Sequence, residues 1–421
     1  MIEQGMIKKN HSKGYSKREI SIGTTKERCL TDDLTKIAKE FSSIEKTKQS
    51  FAQLIRNQLP NLDFSEYIKF YSYRIKEMSL VKPVKPTSIK GLKIAAVDGS
   101  LVTKKFQGID LIFLKSIVVK YFFTSQHSAE IKYYPDVSGY NNYSIQTNYF
   151  NINENGIDLT GSLEQTFMEI NQLNSLLKNN DEYIDLIILD GSILVTPINL
   201  LFSQNYEISK RYDRVLREYR NLYKKCQERG ITLIGSIKDT RTSALTNTLT
   251  QTIQMLISGK KILHEFLKIN YREIMNYFSD YDLFSRVLNV GERSCVFRCN
   301  TDIDKIRHTN IKKNIPNYFP VDFFAFYLKN VPYDNPLRLE FFMDESHDIN
   351  DISKKADLIA SIIYPLSNLN RNYGIPIPQI ESHQRSVFKS NEINLIFNSL
   401  KTLLHKYGIS FFEKRRNRRP F

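Results

Sequence analysis

Cysteine is scarce. Only Cys29, Cys226, Cys295 and Cys299 occur among 421 residues. That is too few for a disulfide framework and fits a reducing compartment. Cys295 and Cys299 share the apolar, strand-like run SCVFRCN, and no further soft ligands stand nearby to complete a zinc site. Long apolar runs are also missing. The most hydrophobic stretch, IDLIFLKSIVVKYFF from Ile109, is broken by Lys115 and Lys120 and is too short and too charged to span a bilayer. The N-terminus, MIEQGMIKKNHSKGYSKRE, lacks the apolar centre of a secretory signal. The expectation is a soluble, cytoplasmic protein with no membrane partner. GxxxxGK[ST], HExxH and GxSxG are absent, which argues against an ATPase, a zincin protease and an α/β-hydrolase. Acidic residues are in deficit: 45 Asp and Glu face 60 Lys and Arg, a formal net charge of +15. Such an excess favours a polyanionic partner, because Lys and Arg neutralise phosphates and release their counterions.

The length suits one large domain with additions, or two domains. The first thirty or so residues read as a mobile arm. From Asp32 to Leu80 the periodicity is helical. VKPVKPTSIKG, Val81 to Gly91, reads as a linker, since prolines and glycine break regular structure. LKIAAVDGS (Leu92 to Ser100) reads as a buried strand ending in a sharp turn. The Ile109–Phe123 run and EIKYYPDV from Glu130 supply two more strands, an antiparallel meander. A helix is expected from Gly161 to Lys178, with Leu163, Phe167, Ile170, Leu173 and Leu177 as its apolar stripe. IDLIILDGS (Ile184 to Ser192) is a second buried strand with the same ending. A charged amphipathic helix over Tyr206–Arg229 stops at Gly230, and ITLIGSIKDT from Ile231 is another strand. This order, three strands, helix, strand, helix, strand, is that of a ribonuclease-H-like α/β fold. Beyond it, Thr246–Phe284 reads as helical, Ser294–Phe342 as strand-rich and Asp351–Leu369 as a helix. YGIPIPQIESHQRSV (Tyr373 to Val387) reads as a proline-rich loop leading into a final helix, before the basic end KRRNRRPF.

Asp98 and Asp190 each follow a run of apolar β-type residues and precede Gly-Ser. A carboxylate at the end of a buried strand is held rigidly and still faces a cleft. Two such strand ends side by side would bring two negative charges together, which is costly unless a cation lies between them. Mg²⁺ or Mn²⁺ suits hard oxygen donors. Either Asp-Gly alone is also ordinary turn chemistry; the repetition after equally apolar strands is what points to function. Glu164 and Glu169 flank the helix stripe on opposite sides, and periodicity does not choose between them as a third ligand. Lys238 and Arg241, in IKDTRTS past another strand end, could hold a phosphate, or the segment could simply lead into a capped helix. His383 could ligate metal or move a proton; a lone histidine is also often a surface or cap residue.

At these residues the chain resembles the NurA nuclease family: VDGS at Asp98, a helix-borne glutamate, LDGS at Asp190, SIKDTRTS at Lys238 and YGIPIPQIESH ending at His383. The resemblance runs from about Leu92 to Val387. It implies a ribonuclease-H-like mixed sheet flanked by helices, with a helical N-terminal extension, and Mn²⁺-dependent 5′-to-3′ cleavage of DNA. It also implies a homodimer working with a HerA-type hexameric ATPase. Carried over, Asp98 and Asp190 become metal ligands, Glu169 is preferred over Glu164 by its spacing, and His383 becomes a metal-site or acid/base residue. The family tyrosine falls on Ile375, with Tyr373 two residues off register, and Ser382 replaces the alanine before the histidine. The chain is then divided into a flexible basic arm (1–31), a helical region and linker (32–90), a nuclease domain (91–395) and a C-terminal helix with basic tail (396–421). Two other readings stay open: a non-catalytic nucleic-acid-binding subunit on the same fold, and a ribonuclease.

Overall fold

Strand parity and register decide how this sheet is built. β2 (Lys93–Lys105) pairs antiparallel with β3 (Asp110–Phe123), and β3 with β4 (Ala129–Tyr134). On its other side β2 runs parallel to β6 (Leu186–Asp190), and β6 parallel to β7 (Thr232–Ile237). The order β4-β3-β2-β6-β7 therefore combines an antiparallel meander with two parallel strands. Helix α2 (Glu154–Leu176) connects the meander to β6, and α3 (Tyr206–Glu228) connects β6 to β7. This is the ribonuclease-H-like arrangement. The computed structural model describes residues 30–70, 73–106, 109–136, 143–148, 154–178, 183–194, 206–259, 264–299, 321–344, 348–369 and 371–408.

Among these residues the sheet has eleven strands. β5 (Tyr143–Asn148) adds to β3. Past β7 lie β11 (Leu337–Asp344) and β10 (Val321–Lys329), both in antiparallel pairings, then β8 (Glu292–Ser294) and β1 (Val81–Pro83). β9 (Phe297–Arg298) also pairs with β10.

Alternation along the central strands feeds two cores. Ala95, Val97, Ile187, Leu189 and Leu233 face α2 and α3, where Ile170, Leu173, Leu216 and Leu222 meet them. Ile94, Ala96, Leu186, Ile188 and Ile234 face the opposite way, against Ile352, Ile359 and Ile363 of α8 (Ile349–Ser367). A third cluster gathers the end of α1 (Leu30–Asn57) with α4 (Ala244–Gly259), α5 (His264–Leu267), α6 (Tyr271–Asn276) and α7 (Asp280–Val287). Two helices complete the order, α9 (Ile377–Ser386) and α10 (Ser390–Lys406), the latter packing Ile393 and Phe397 on Phe106, Leu111 and Phe113. The chain forms two units, Met1–Thr47 and Lys48–Phe421. In the first, the described residues are the opening turns of α1. No described helix is long and apolar enough to cross a membrane.

Several expectations are corrected. The helix expected over Asp32–Leu80 stops at Asn57. Pro60 follows in a short 3-10 turn, and the chain then runs irregularly, burying Phe64, Ile75 and Leu80 in the third cluster. The linker Val81–Gly91 opens as an edge strand, because Val81–Pro83 can pair with Glu292–Ser294. β2 does not turn at Asp98-Gly99-Ser100; it continues to Lys105, since β3 pairs with it at every position. The Tyr373–Val387 segment is mostly helix rather than loop: Pro376 and Pro378 stand at the start of α9, where a missing N–H costs nothing. The helix expected from Gly161 begins at Glu154. The region Thr246–Phe284 is helical as expected, and its described residues hold parts of four helices. The basic arm (apart from Leu30 and Thr31, which begin α1) and the KRRNRRPF tail lie outside the described residues.

Candidate metal centre

Parallel pairing sets Val97 opposite Leu189. The next residue in each strand is an aspartate, Asp98 and Asp190. Ladder neighbours in a parallel sheet share a face and lie about 4.8 Å apart, so the register itself sets the two carboxylates side by side. The position is also the switch point of the fold: β2 lies between β3 on one side and β6 on the other, and β6 ends at Asp190 while β2 runs on with β3 to Lys105. α9 covers this position and adds His383. Its Nδ1 lies 2.7 Å from Asp98 Oδ2, and Ser386 Oγ donates to the same oxygen at 3.1 Å. One ligand atom each from Asp98, Asp190 and His383 lie within 4.8 Å of one another.

Glu169 of α2 lies against the same strand. An atom in the place of a Gly99 Cβ would stand 2.3 Å from Glu169 Oε1, so the glycine of the first DGS is the space that admits the glutamate. Gln165 Nε2 bridges Glu169 Oε1 at 2.9 Å and the Gly99 carbonyl at 3.0 Å. The second DGS uses its glycine differently. Gly191 has φ +132°, a backbone that side chains disfavour, and it turns the chain sharply after Asp190. Ser192 then donates to Glu340 Oε2 at 2.5 Å, and Arg338 holds the other Glu340 oxygen, fixing the turn to β11.

Glu164 is engaged by other partners. It is buried under Arg211 and Arg214 of α3 and accepts from Gln146 at 2.9 Å. Burial alone would raise its pKa, but these partners outweigh it and hold the carboxyl below its usual value. The centre shows the reverse. Burial, with the Asp190 charge added, raises Asp98, although His383 and the Gly99 amide pull it back. Burial, with Asp98 and Asp190 nearby, pushes Glu169 up to about 8. Two carboxylates and an imidazole within reach of one another, with Glu169 against the same strand, suit a hard divalent cation.

This has a consequence for the metal-free protein. A folded-state pKa of about 8 against an ordinary 4.5 means that Glu169 stabilises the fold through its protonated form. That contribution is complete below the ordinary value and is lost as pH rises towards 8. The thermal midpoint in EDTA should therefore fall between about pH 5 and pH 8, and Glu169→Gln should flatten the fall. Parallel curves for the two proteins would show that Glu169 is not proton-coupled to the site.

Lys238, at the end of β7, donates to Asp190 Oδ2 at 2.6 Å. Arg241 is exposed and stands apart from this contact. Gln379 was missed in the sequence: it donates to Asp190 Oδ1 at 3.0 Å and accepts from Ser236 at 2.6 Å. Gln379, His383 and Ser386 recur at helical spacing, so reading α9 as a helix would have put all three on one face. Ile375, at the tyrosine position, is buried, while Tyr373 is exposed. Cys295 is buried and Cys299 half-buried; both are free.

A family model, the NurA domain, matches residues 92–388, well over half of the chain. No curated protein matches it in sequence. Among solved structures it is similar to the NurA nuclease from Sulfolobus solfataricus, at 15% identity and TM-score 0.47, over 90% of this chain and 98% of that one. A second NurA structure matches at 14% identity and TM-score 0.39, over 87% and 97%. A NurA bound to dAMP and manganese matches at 12% identity and TM-score 0.35, over 86% and 94%. The assignment rests on the domain match, and by it the chain belongs to the NurA family of nucleases.

Proposed function

We propose that the protein is a metal-dependent deoxyribonuclease that hydrolyses phosphodiester bonds at the Asp98–Asp190 centre. The observation that carries this reading is the meeting of ligand atoms of Asp98, Asp190 and His383 within 4.8 Å, with Glu169 of α2 set against Gly99 of the same strand. Asp98, Asp190, Glu169 and His383 would hold one or two Mn²⁺ or Mg²⁺ ions. Bound there, such ions would supply positive charge to the attacking and leaving oxygens of the phosphodiester. Water is the nucleophile. Lys238, already paired with Asp190, positions the scissile phosphate, and Gln379 keeps Asp190 oriented.

A substrate panel tests the reading. Labelled single-stranded DNA, duplex DNA and RNA of one sequence are incubated with Mn²⁺. DNA should be cut and RNA spared, with products released from the 5′ end. Preferential cleavage of RNA would make the enzyme a ribonuclease. A second reading, a nucleic-acid-binding subunit without catalysis, is favoured by the apolar Ile375 at the tyrosine position; binding of DNA without any turnover would establish it instead.

DNA affinity should depend steeply on salt. The +15 charge supports several phosphate contacts, and each contributes a slope of about −0.9 in log K against log salt on duplex DNA. A slope near zero would assign the basic surface to another partner.

The proposal extends to assembly. With no phosphate-loop motif of its own, the chain depends on another protein for unwinding, and the family points to a HerA-type hexameric ATPase acting on a homodimer. Helix α1, in the region before Val81, and the C-terminal segment are the candidate docking surfaces. Light scattering after size exclusion should give twice the chain mass; a strict monomer at micromolar concentration would count against the dimer. Failure of the co-expressed ATPase to co-purify, with nuclease activity unchanged by ATPase and ATP, would remove the partner.

A further inference from the structure

A second cluster of cations lies away from the metal centre. β2 and β3 pair Lys93 with Phe122 and Ala95 with Lys120, while β4 sets Lys132 opposite Lys120 and Glu130 opposite Phe122. By parity these side chains share the face that Ala95 and Val118 bury under α2 and α3. Beyond those two residues Lys93, Phe122 and Lys132 are exposed. A cavity of about 300 Å³ opens there, lined by Lys93, Lys120, Lys132, Glu130, Phe122 and Tyr183 among others. Among the described residues, three lysines outnumber the two carboxylates there, Glu130 in the lining and Asp185 bonded to Tyr183. Its wall is aromatic: Phe122 is 37% exposed and Tyr183 61% exposed, and Lys93 Nζ stands 5.6 Å from the Phe122 ring centre.

Sheet stability does not call for this arrangement. Like charges directly opposite on antiparallel strands are destabilising, and exposed aromatics do little for a core. Lysines beside open ring faces do suit one class of ligand, a planar ring joined to a phosphate: the rings stack and the ammonium groups bind the phosphate. The volume matches the lower end of small-ligand sites. Lys93 precedes Asp98 by five residues on one strand, about 17 Å at strand rise, so the cavity is separate from the metal centre.

We propose that the Lys93–Lys120–Lys132 cavity with its Phe122 and Tyr183 walls is a second nucleotide-binding site, remote from the metal centre. It builds on the nuclease reading, in which the protein handles nucleotides both within strands and as released products. Calorimetric titration in EDTA tests it, using thymidine 5′-monophosphate, 2-deoxyribose 5-phosphate and a ten-residue oligothymidylate. The wild-type protein should bind the nucleotide at least tenfold more tightly than the sugar phosphate. Lys120→Ala with Lys132→Ala should weaken nucleotide binding at least tenfold, as should the single exposed Lys132→Glu. Phe122→Ala with Tyr183→Ala should abolish the preference for the base. If the oligothymidylate competes with the nucleotide and weakens in parallel, the source is a strand; if it is unaffected, the source is the free nucleotide. Unchanged nucleotide affinity in the lysine variants, or equal affinity for nucleotide and sugar phosphate in the wild type, would overturn the proposal. Metal-dependent cleavage of a short substrate should survive all these substitutions. If the wild type lacks cleavage while the cavity variants still lose the nucleotide, the nuclease reading falls and the cavity stands.

Discussion

Asp98→Asn and Asp190→Asn should each reduce Mn²⁺-dependent cleavage by more than about a hundredfold, because even outer partners of metal ligands are worth 10–100-fold. Asparagine keeps the shape and removes the charge, so the loss reads the electrostatics and not the packing. A separate consequence follows from the pKa of Asp98, which burial and then Asp190 hold above the carboxylate range. Removing that charge relieves repulsion, so metal-free Asp98→Asn should be at least as stable as the wild type at pH 8. Glu164→Gln provides the contrast. Its carboxylate serves Arg211 and Arg214, so the variant should lose stability and keep cleavage. Near wild-type rates in both aspartate variants would move the active site elsewhere.

The largest effect on stability is expected at Glu77. Arg293 is fully buried and forks onto Glu77, Nη1 to Oε2 and Nη2 to Oε1, both at 2.7 Å. The Val296 amide and Lys82 add bonds to the same carboxylate. Burial alone would raise the pKa of Glu77; the Arg293 bonds outweigh it and hold it at about 2. This stabilisation is present above the ordinary value of 4.5 and is lost as pH falls through 2. In Glu77→Ala, the only carboxylate left to Arg293 among the described residues is Asp357, itself half-exposed, beside the Ser294 carbonyl. Breaking one side of a buried pair costs about 3–5 kcal/mol, measurable by urea unfolding at neutral pH. Glu77→Leu with Arg293→Met should cost less than the two single changes added together. A loss under about 1 kcal/mol for Glu77→Ala would place the pair among surface bridges.

Glu77 also shows where the sequence stops being legible. Helical periodicity across Asp32–Leu80 is real as far as Asn57. Pro60 then breaks the helix, which is a local signal, and the chain beyond follows contacts such as that of Glu77 with Arg293, 216 positions away, which no local pattern carries. The candidate metal centre was far more readable. The two DGS strands are short-range signals, and parallel pairing turns their similarity into proximity. The first DGS still misled, because an Asp-Gly-Ser that favours a turn in isolation is held extended by thirteen paired positions on β3. Its glycine serves approach by Glu169 instead. Stripe geometry set Glu164 and Glu169 on opposite sides of α2, and their neighbours differ: α3 brings arginines to Glu164 and β2 brings Gly99 to Glu169. Gln379 was hidden for a related reason. Proline at a helix start and proline in a loop look alike in one dimension, and the choice decides whether Gln379, His383 and Ser386 share a face.

The most direct measurement is the cleavage rate of end-labelled DNA by the purified wild-type protein, in EDTA and then after Mn²⁺ is restored in excess. The nuclease reading predicts no cleavage in EDTA and recovery of the full rate with Mn²⁺, while the folded state persists throughout. Cleavage that continues undiminished in EDTA, or a folded protein that cuts no DNA with either Mn²⁺ or Mg²⁺, would contradict it.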